Sequence, residues 1–220
     1  FSARSHALMA HAYTEDQLVE QPAIGLFADL SWQTVSAMEE TLGAAGTLGR
    51  ETKGEVVLAT RLRSALVRLN PALPAEAINN AIDEITRERS AMLLEAANRE
   101  VYRLLKEGIV VSVPDHAHGG QKTERLRVVD WDTPENNDFL LVSQFSVTGA
   151  LYTCRPDLVG FINGLPWVVI ELKKPGVSAR AAFDENLTHY KQQIPNLFWF
   201  NALMIASNGT DSRLGSLTAD

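Results

Sequence analysis

Arg155-Pro-Asp157-Leu-Val-Gly-Phe-Ile-Asn163-Gly164-Leu-Pro166-Trp-Val-Val-Ile-Glu171-Leu-Lys173-Lys-Pro175 is the stretch that decides the fold. Asn163-Gly164 separates two β-rich runs, and both residues tolerate the positive φ that a tight hairpin turn needs. The flanking runs, Pro156 to Ile162 and Trp167 to Leu172, are therefore expected to pair antiparallel. Val168 to Ile170 reads as a buried central strand running into Glu171-Leu172-Lys173, where the strand period of two places Glu171 and Lys173 on one face. Closing the hairpin brings Asp157, at the start of the first strand, near Glu171, at the end of the second. Carboxylates held that close repel unless a cation lies between them. A hard divalent ion such as Mg2+ suits the two carboxylates, a main-chain carbonyl at Leu172, waters and a phosphate oxygen. With Lys173 facing the same phosphate, the set fits phosphodiester hydrolysis, in which charge develops on phosphate oxygens. A lone Glu-x-Lys triplet is more often a solvated strand edge with a weak ion pair. Here the Pro156-Asp157 element upstream and the turn between them distinguish it.

Working outward, Ala202 to Ser207 reads as a further strand, reached through a helical stretch from about Ala179 to Leu197. Upstream, Phe139 to Val147, Ile109 to Val113 and Leu126 to Trp131 read as strands, and Gly108 closes the helical region before them. Leu58 to Leu69 and Pro74 to Glu107 carry helical spacing, with Ile78, Ile82 and Ile85 on one face, then Leu93, Ala97, Val101 and Leu104. Thr14 with Gln17 fits a capping box for a first helix, which Pro22 should kink or restart. The expected class is α/β, a mixed sheet flanked by helices, with a helical segment inserted before the sheet. Residues 1–107 are mainly helical and 108–220 carry the sheet, within a single expected domain.

The chain has 220 residues, 45% of them hydrophobic, enough for a substantial core. One cysteine, Cys154, excludes an internal disulfide framework and reads as a small buried hydrophobe on a strand. No run is long and apolar enough to span a membrane, and residues 1–11 lack a signal peptide's apolar block, so a cytoplasmic location is expected. A net charge of −7 argues against a surface coated for nucleic-acid binding but permits a local basic groove. The chain lacks an initiator Met and stops shortly after a strand, as a piece of a longer protein would.

The Pro156-Asp157 and Glu171-Leu172-Lys173 elements resemble those of the PD-(D/E)xK nuclease superfamily. The whole block from Arg155 to Lys173 is similar to the nuclease domain of type I restriction subunits. So are Glu15-Asp-Gln-Leu-Val-Glu20, Leu93-Leu-Glu-Ala-Ala-Asn98-Arg-Glu100 and Asn136-Asn-Asp-Phe-Leu-Leu-Val-Ser-Gln144-Phe. The resemblance implies a restriction-endonuclease-like core in which Asp157 and Glu171 hold the metal and Lys173 orients or activates the attacking water. It also implies that Glu20 stands beside the metal, although a solvated helix carboxylate explains it as well. Such domains carry a Gln-x-x-x-Tyr element thought to engage DNA, matched here by Asn186-Leu-Thr-His-Tyr190 with Asn in place of Gln. Lys174 joins this candidate DNA-contacting group. The family further implies duplex DNA as substrate, modification and specificity subunits as partners, and a motor domain beyond residue 220 that uses ATP and pulls DNA before non-specific cutting.

Other signals carry less. Gly119-Gly120-Gln121-Lys122-Thr123 lacks the spacing of a phosphate loop. His116 and His118 have no third ligand. The triplets at Asn186 and Asn208 fit glycosylation sites only in a secreted chain. Arg61, Arg63, Arg68, Arg87 and Arg89 suggest a salt-bridged surface, while Lys122, Arg125 and Arg127 suit phosphate contact better. The competing readings are a non-catalytic assembly module that keeps the nuclease fold, and a free-standing repair or junction-resolving nuclease.

Overall fold

The computed structural model describes residues 16–115 and 117–219. Thr14 and His116 lie outside the described residues. A π-helical turn, Asp16–Glu20, leads into helix α1 (Gln21–Asp29), so the coil changes type next to Pro22. Strand β1 (Gln33–Ser36) follows, then helices α2 (Ala59–Leu69), α3 (Ala75–Thr86) and α4 (Leu94–Glu107). The remaining strands are β2 (Ile109–Pro114), β3 (Gln121–Leu126), β4 (Phe139–Ser143), β5 (Val147–Thr148), β6 (Thr153–Cys154), β7 (Leu158–Ile162), β8 (Leu165–Leu172), β9 (Leu203–Ser207) and β10 (Ser212–Gly215). Between β8 and β9 come α5 (Ala179–Ala181), a π-helical turn Ala182–Leu187, α6 (Thr188–Gln193) and α7 (Pro195–Phe198).

The main sheet has six strands in the order β1-β4-β7-β8-β9-β10, with β2-β3 and β5-β6 as separate pairs among the described residues. β1 pairs parallel with β4 and β8 with β9, while β4-β7, β7-β8 and β9-β10 are antiparallel. This is the mixed sheet flanked by helices that the pattern predicts. The strands β7 and β8 at its centre are buried on both faces, which accounts for their near-continuous apolar sequence. Along β8, Trp167 and Val169 enter the main core with the α2–α4 platform, whereas Ile170 and Leu172 enter a smaller cluster with Val19 and α1. No helix among the described residues is long and apolar enough to cross a membrane.

Several expectations need correction. The helix predicted from Pro74 to Glu107 is two helices. Arg89, only 1% exposed, turns its guanidinium onto the carbonyls of Glu84, Ile85 and Arg87, capping the C-terminus of α3. Arg89 is thus a buried cap paired with Glu100 rather than part of a salt-bridged surface. On α4, Ala97 and Val101 are buried as expected, but Leu93 is 78% exposed and Leu105 is buried beside a partly buried Leu104. The strand expected from Leu126 to Trp131 lies earlier and ends at Leu126, because the Asn70 side chain takes both the N–H and the carbonyl of Arg127 at 2.8 Å. The run from Phe139 to Val147 is interrupted after Ser143 by Gln144, which has φ 58°.

The Asn163-Gly164 turn is anchored from several directions. Both residues have positive φ, 51° and 79°, as the two-residue connection between Ile162 and Leu165 requires. A Cβ at Gly164 would meet Leu58 O at 2.6 Å and Leu62 N at 2.7 Å, so the start of α2 presses directly on the turn. Gly164 O in return accepts the Leu58 N–H at 2.8 Å. Asn163 is fully buried, its amide donating to Val128 O and Asn137 Oδ1 and accepting the Asp138 N–H. Asp138 is bound in turn by Arg61 of α2 at 2.8 Å.

Gly164→Ala should therefore destabilise the protein by more than about 2 kcal/mol, since it adds left-handed strain to a backbone clash. Asn163→Gly keeps the turn but removes the amide bonds, and should cost about 1–3 kcal/mol. Urea unfolding measures both, and an unchanged midpoint in either variant would show that the turn does not clamp the sheet.

Candidate active site

The register Leu158↔Ile170 sets Asp157 opposite the end of β8. There, Asp157 Oδ2 accepts the N–H of Leu172 at 2.8 Å. Asp157 shares its strand face with Val159, and Glu171 with Val169, and both valines enter the main core. Asp157, Glu171 and Lys173 thus lie on the sheet face that carries α6, where the Tyr190 hydroxyl of that helix reaches Glu171. The hairpin brings together the three residues that spacing singled out.

Glu171 is 4% exposed. Burial, and then the neighbouring Asp157 charge, push its carboxyl up to about 8 despite the opposing influence of Lys173. Its Oε1 accepts the Tyr190 hydroxyl at 3.3 Å, whereas Oε2 is buried without a hydrogen-bond partner. A buried carboxylate oxygen left unpaired beside a second carboxylate is costly, and either the proton that the raised carboxyl holds or a hard cation would relieve it. Burial, with Glu171 beside it, raises the Tyr190 hydroxyl, which keeps it a proton donor.

Lys173 donates from Nζ to Asn186 Oδ1 at 2.7 Å, and Asn186 Nδ2 lies 3.4 Å from the Tyr190 hydroxyl. The expected pairing of Asn186 and Tyr190 on one helical face is present, and that face is turned toward Glu171 and Lys173, with Tyr190 only 9% exposed. Lys174, next along the chain, is exposed. Glu20, 8% exposed at the end of the first π-helical turn, accepts Gln144 Nε2 at 3.1 and 2.9 Å. The Gln144 N–H donates to the Asp157 carbonyl at 2.7 Å, linking the Glu20 and Asp157 segments. The one local sign of Gln144 in the sequence is a glutamine interrupting the apolar run from Phe139. Among the described residues no group of three or more His, Cys, Asp and Glu is gathered so that it could hold a metal. A cation would rest on the Asp157 and Glu171 pair.

The remaining candidates have structural partners. Cys154 is buried and donates to Gln193 Oε1. His118 pairs with Asp115 in the turn between β2 and β3, Lys122 with Glu124, and Arg127 with Asp130.

The raised Glu171 carboxyl makes a signed prediction. The native state holds this proton more tightly than the unfolded chain does, so the stability it contributes is complete below about 4.5 and lost as the pH rises to about 8. In metal-free buffer the stability of wild type relative to Glu171→Gln should fall steadily across that window. Paired thermal melts measure it, and a flat difference would mean that Glu171 is ionised throughout.

A family profile, the type I restriction enzyme R protein N terminus, matches residues 12–220. The type I restriction enzyme HindI endonuclease subunit of Haemophilus influenzae is 37% identical over 179 residues, covering 80% of this chain and 17% of that protein. The putative type I restriction enzyme MjaIXP endonuclease subunit of Methanocaldococcus jannaschii is 28% identical over 211 residues, 94% of this chain and 20% of that protein. A Staphylococcus saprophyticus subunit, SsaAORF53P, is 42% identical over 77 residues, 35% of this chain and 8% of that protein. This chain therefore spans only 17% to 20% of the length of the first two relatives. The match across nearly its whole length, on a mixed sheet that sets an acid pair beside a lysine, places this chain in the family of type I restriction enzyme R protein N-terminal regions.

Proposed function

We propose that this chain is the nuclease domain of a type I restriction endonuclease subunit, cutting phosphodiester bonds of duplex DNA without sequence preference of its own. The observation that carries the reading is the pairing of Asp157 with a buried Glu171, one oxygen of which lacks a partner, on the same face as Lys173. The donor set is all hard oxygen, which fits Mg2+ held by Asp157, Glu171 and the Leu172 carbonyl. When bound, such a cation supplies Lewis acidity toward a phosphate oxygen and lowers the pKa of the attacking water.

The protein's own groups do the rest. Asp157 is oriented by the Leu172 N–H, so its position follows from the strand pairing. Glu171 is held by the Tyr190 hydroxyl and kept from bulk water. Lys173, steered by Asn186, has further N–H groups to direct at a phosphate oxygen or at the water that attacks it. Asn186 and Tyr190 thereby act on the reacting groups from within the site, and exposed Lys174 offers charge to the DNA backbone. Glu20 adds negative charge from the first helix. Recognition of the DNA sequence, ATP-driven translocation and assembly with modification and specificity subunits belong, on this reading, to the rest of a cytoplasmic complex.

The test is Lys173→Ala in the complete subunit, reconstituted with its partner subunits and assayed for DNA cleavage and ATP hydrolysis together. Cleavage should fall by at least about 100-fold while ATP hydrolysis persists, in line with the loss of one transition-state donor. Survival of both activities would make this region a docking module.

A further inference from the structure

We propose that Gln144 is a positioning residue of the cation site, fixing Glu20 relative to the Asp157 segment; this rests on the nuclease reading above. The first observation is conformational. Gln144 has φ 58°, a left-handed backbone that costs a residue with a Cβ about 1–2 kcal/mol and that glycine or asparagine adopts more readily. A glutamine held in such a position points to a use for its side chain.

The second observation is what that side chain and its backbone do together. Nε2 reaches both oxygens of Glu20, and the main-chain N–H reaches the Asp157 carbonyl. Glu20 lies 124 residues away in sequence, so the contact is purely tertiary. Because a carboxylate only accepts, the amide must present its nitrogen, which fixes its orientation. The flanking residues hold the backbone in place. Ser143 ends β4 and is buried, and Phe145 is fully buried, edge-on to Phe161 with the Arg50 guanidinium 4.1 Å from its ring centroid. Gln144 itself is half-buried and lines a cleft of about 410 Å³ with Glu20, Thr34 and Ser36, so its side chain does not fill the core.

The third observation is chemical. Holding Glu20 beside the Asp157 segment without cancelling its charge calls for a donor with no charge of its own. A lysine or arginine at 144 would neutralise Glu20 and weaken the field that draws in the cation, while an acid would repel Glu20. Gln144 avoids both, and partners of this kind around a metal site are worth 10- to 100-fold in metal affinity or activity.

The experiment uses the complete subunit with its partner subunits and compares Gln144→Ala, Gln144→Asn and Lys173→Ala. Cleavage and ATP hydrolysis are each titrated with Mg2+, and Mn2+ binding to the nucleotide-free subunit is measured by calorimetry. Gln144→Ala should raise the Mg2+ midpoint for cleavage about 10- to 100-fold and weaken Mn2+ binding in parallel, leaving the midpoint for ATP hydrolysis unmoved. Gln144→Asn keeps the amide and suits the left-handed backbone, so it should recover part of the shift. Should Gln144→Ala fold poorly, Gln144→Gly relieves the strain and retains the N–H to Asp157, and the same shift is expected of it. Unchanged Mg2+ and Mn2+ midpoints, whether cleavage survives or falls, would overturn the positioning role. If Lys173→Ala cleaves normally, the nuclease reading itself fails; if Lys173→Ala is inactive and the Gln144 variants keep wild-type midpoints, only the role of Gln144 fails.

Discussion

The register between β7 and β8 is the constraint from which the site follows. Strand side chains alternate, so a slip of one residue would carry Glu171 and Lys173 to the face packed by α1 and bring Ile170 and Leu172 to the face they now occupy. Two structures prevent the slip. The turn accepts only residues at ease with positive φ, and the α2 terminus abuts it so closely that Gly164 has no room for a side chain. Asn163, Asp138 and Arg61 extend that contact into a polar network joining the turn to the helical platform. The helices inserted before the sheet thus fix the geometry of a site they do not enter.

Holding the site in this form is unfavourable in itself. Glu171 is desolvated, lies beside Asp157 and leaves one oxygen unpaired, an arrangement the fold must overcome elsewhere. The opposing contribution is large. Leu158, Val159, Phe161, Val169, Ile170 and Leu172 are all within 3% of full burial around it, and burying such a side chain contributes about 1.5–3 kcal/mol each. Lys173 does not neutralise the acids by direct pairing, since its ammonium is drawn to Asn186. On the proposed reading, that separation would leave the unpaired Glu171 oxygen to a cation and the lysine to phosphate.

What could be read from the sequence was whatever rests on local periodicity. The Asn163-Gly164 turn, the buried β8 strand and the shared face of Glu171 and Lys173 all follow from a period of two and one dipeptide. The same is true of Gly108, whose φ of 78° ends α4. Features that depend on distant partners were not legible. β1 is a short, mostly exposed strand whose parallel pairing with β4 spans more than a hundred residues of chain. Arg89 looks like a surface arginine until three carbonyls are found around it. The end of β3 is set by Asn70, far upstream, and the Gln144 contact with Glu20 has no local signature. In the site, the positions of Asp157, Glu171 and Lys173 could be anticipated, whereas the inward turn of Asn186 and Tyr190 could not, because helical spacing fixes which residues share a face but not what that face meets.

The replacement of glutamine by asparagine at 186 has a geometric counterpart. Asn186 sits in a π-helical turn, whose wider coil alters the angle at which side chains leave the helix. From there the shorter amide already reaches Lys173 at 2.7 Å and lies beside the Tyr190 hydroxyl. A longer side chain at the same position would have to bend away or displace the ammonium. The net charge of −7 bears on the same reading from another side. An acidic domain gains little from counterion release, so on the proposed reading its own contact with a duplex would be local. On the proposed nuclease reading, such a domain would depend on the remainder of its subunit to deliver and hold the DNA.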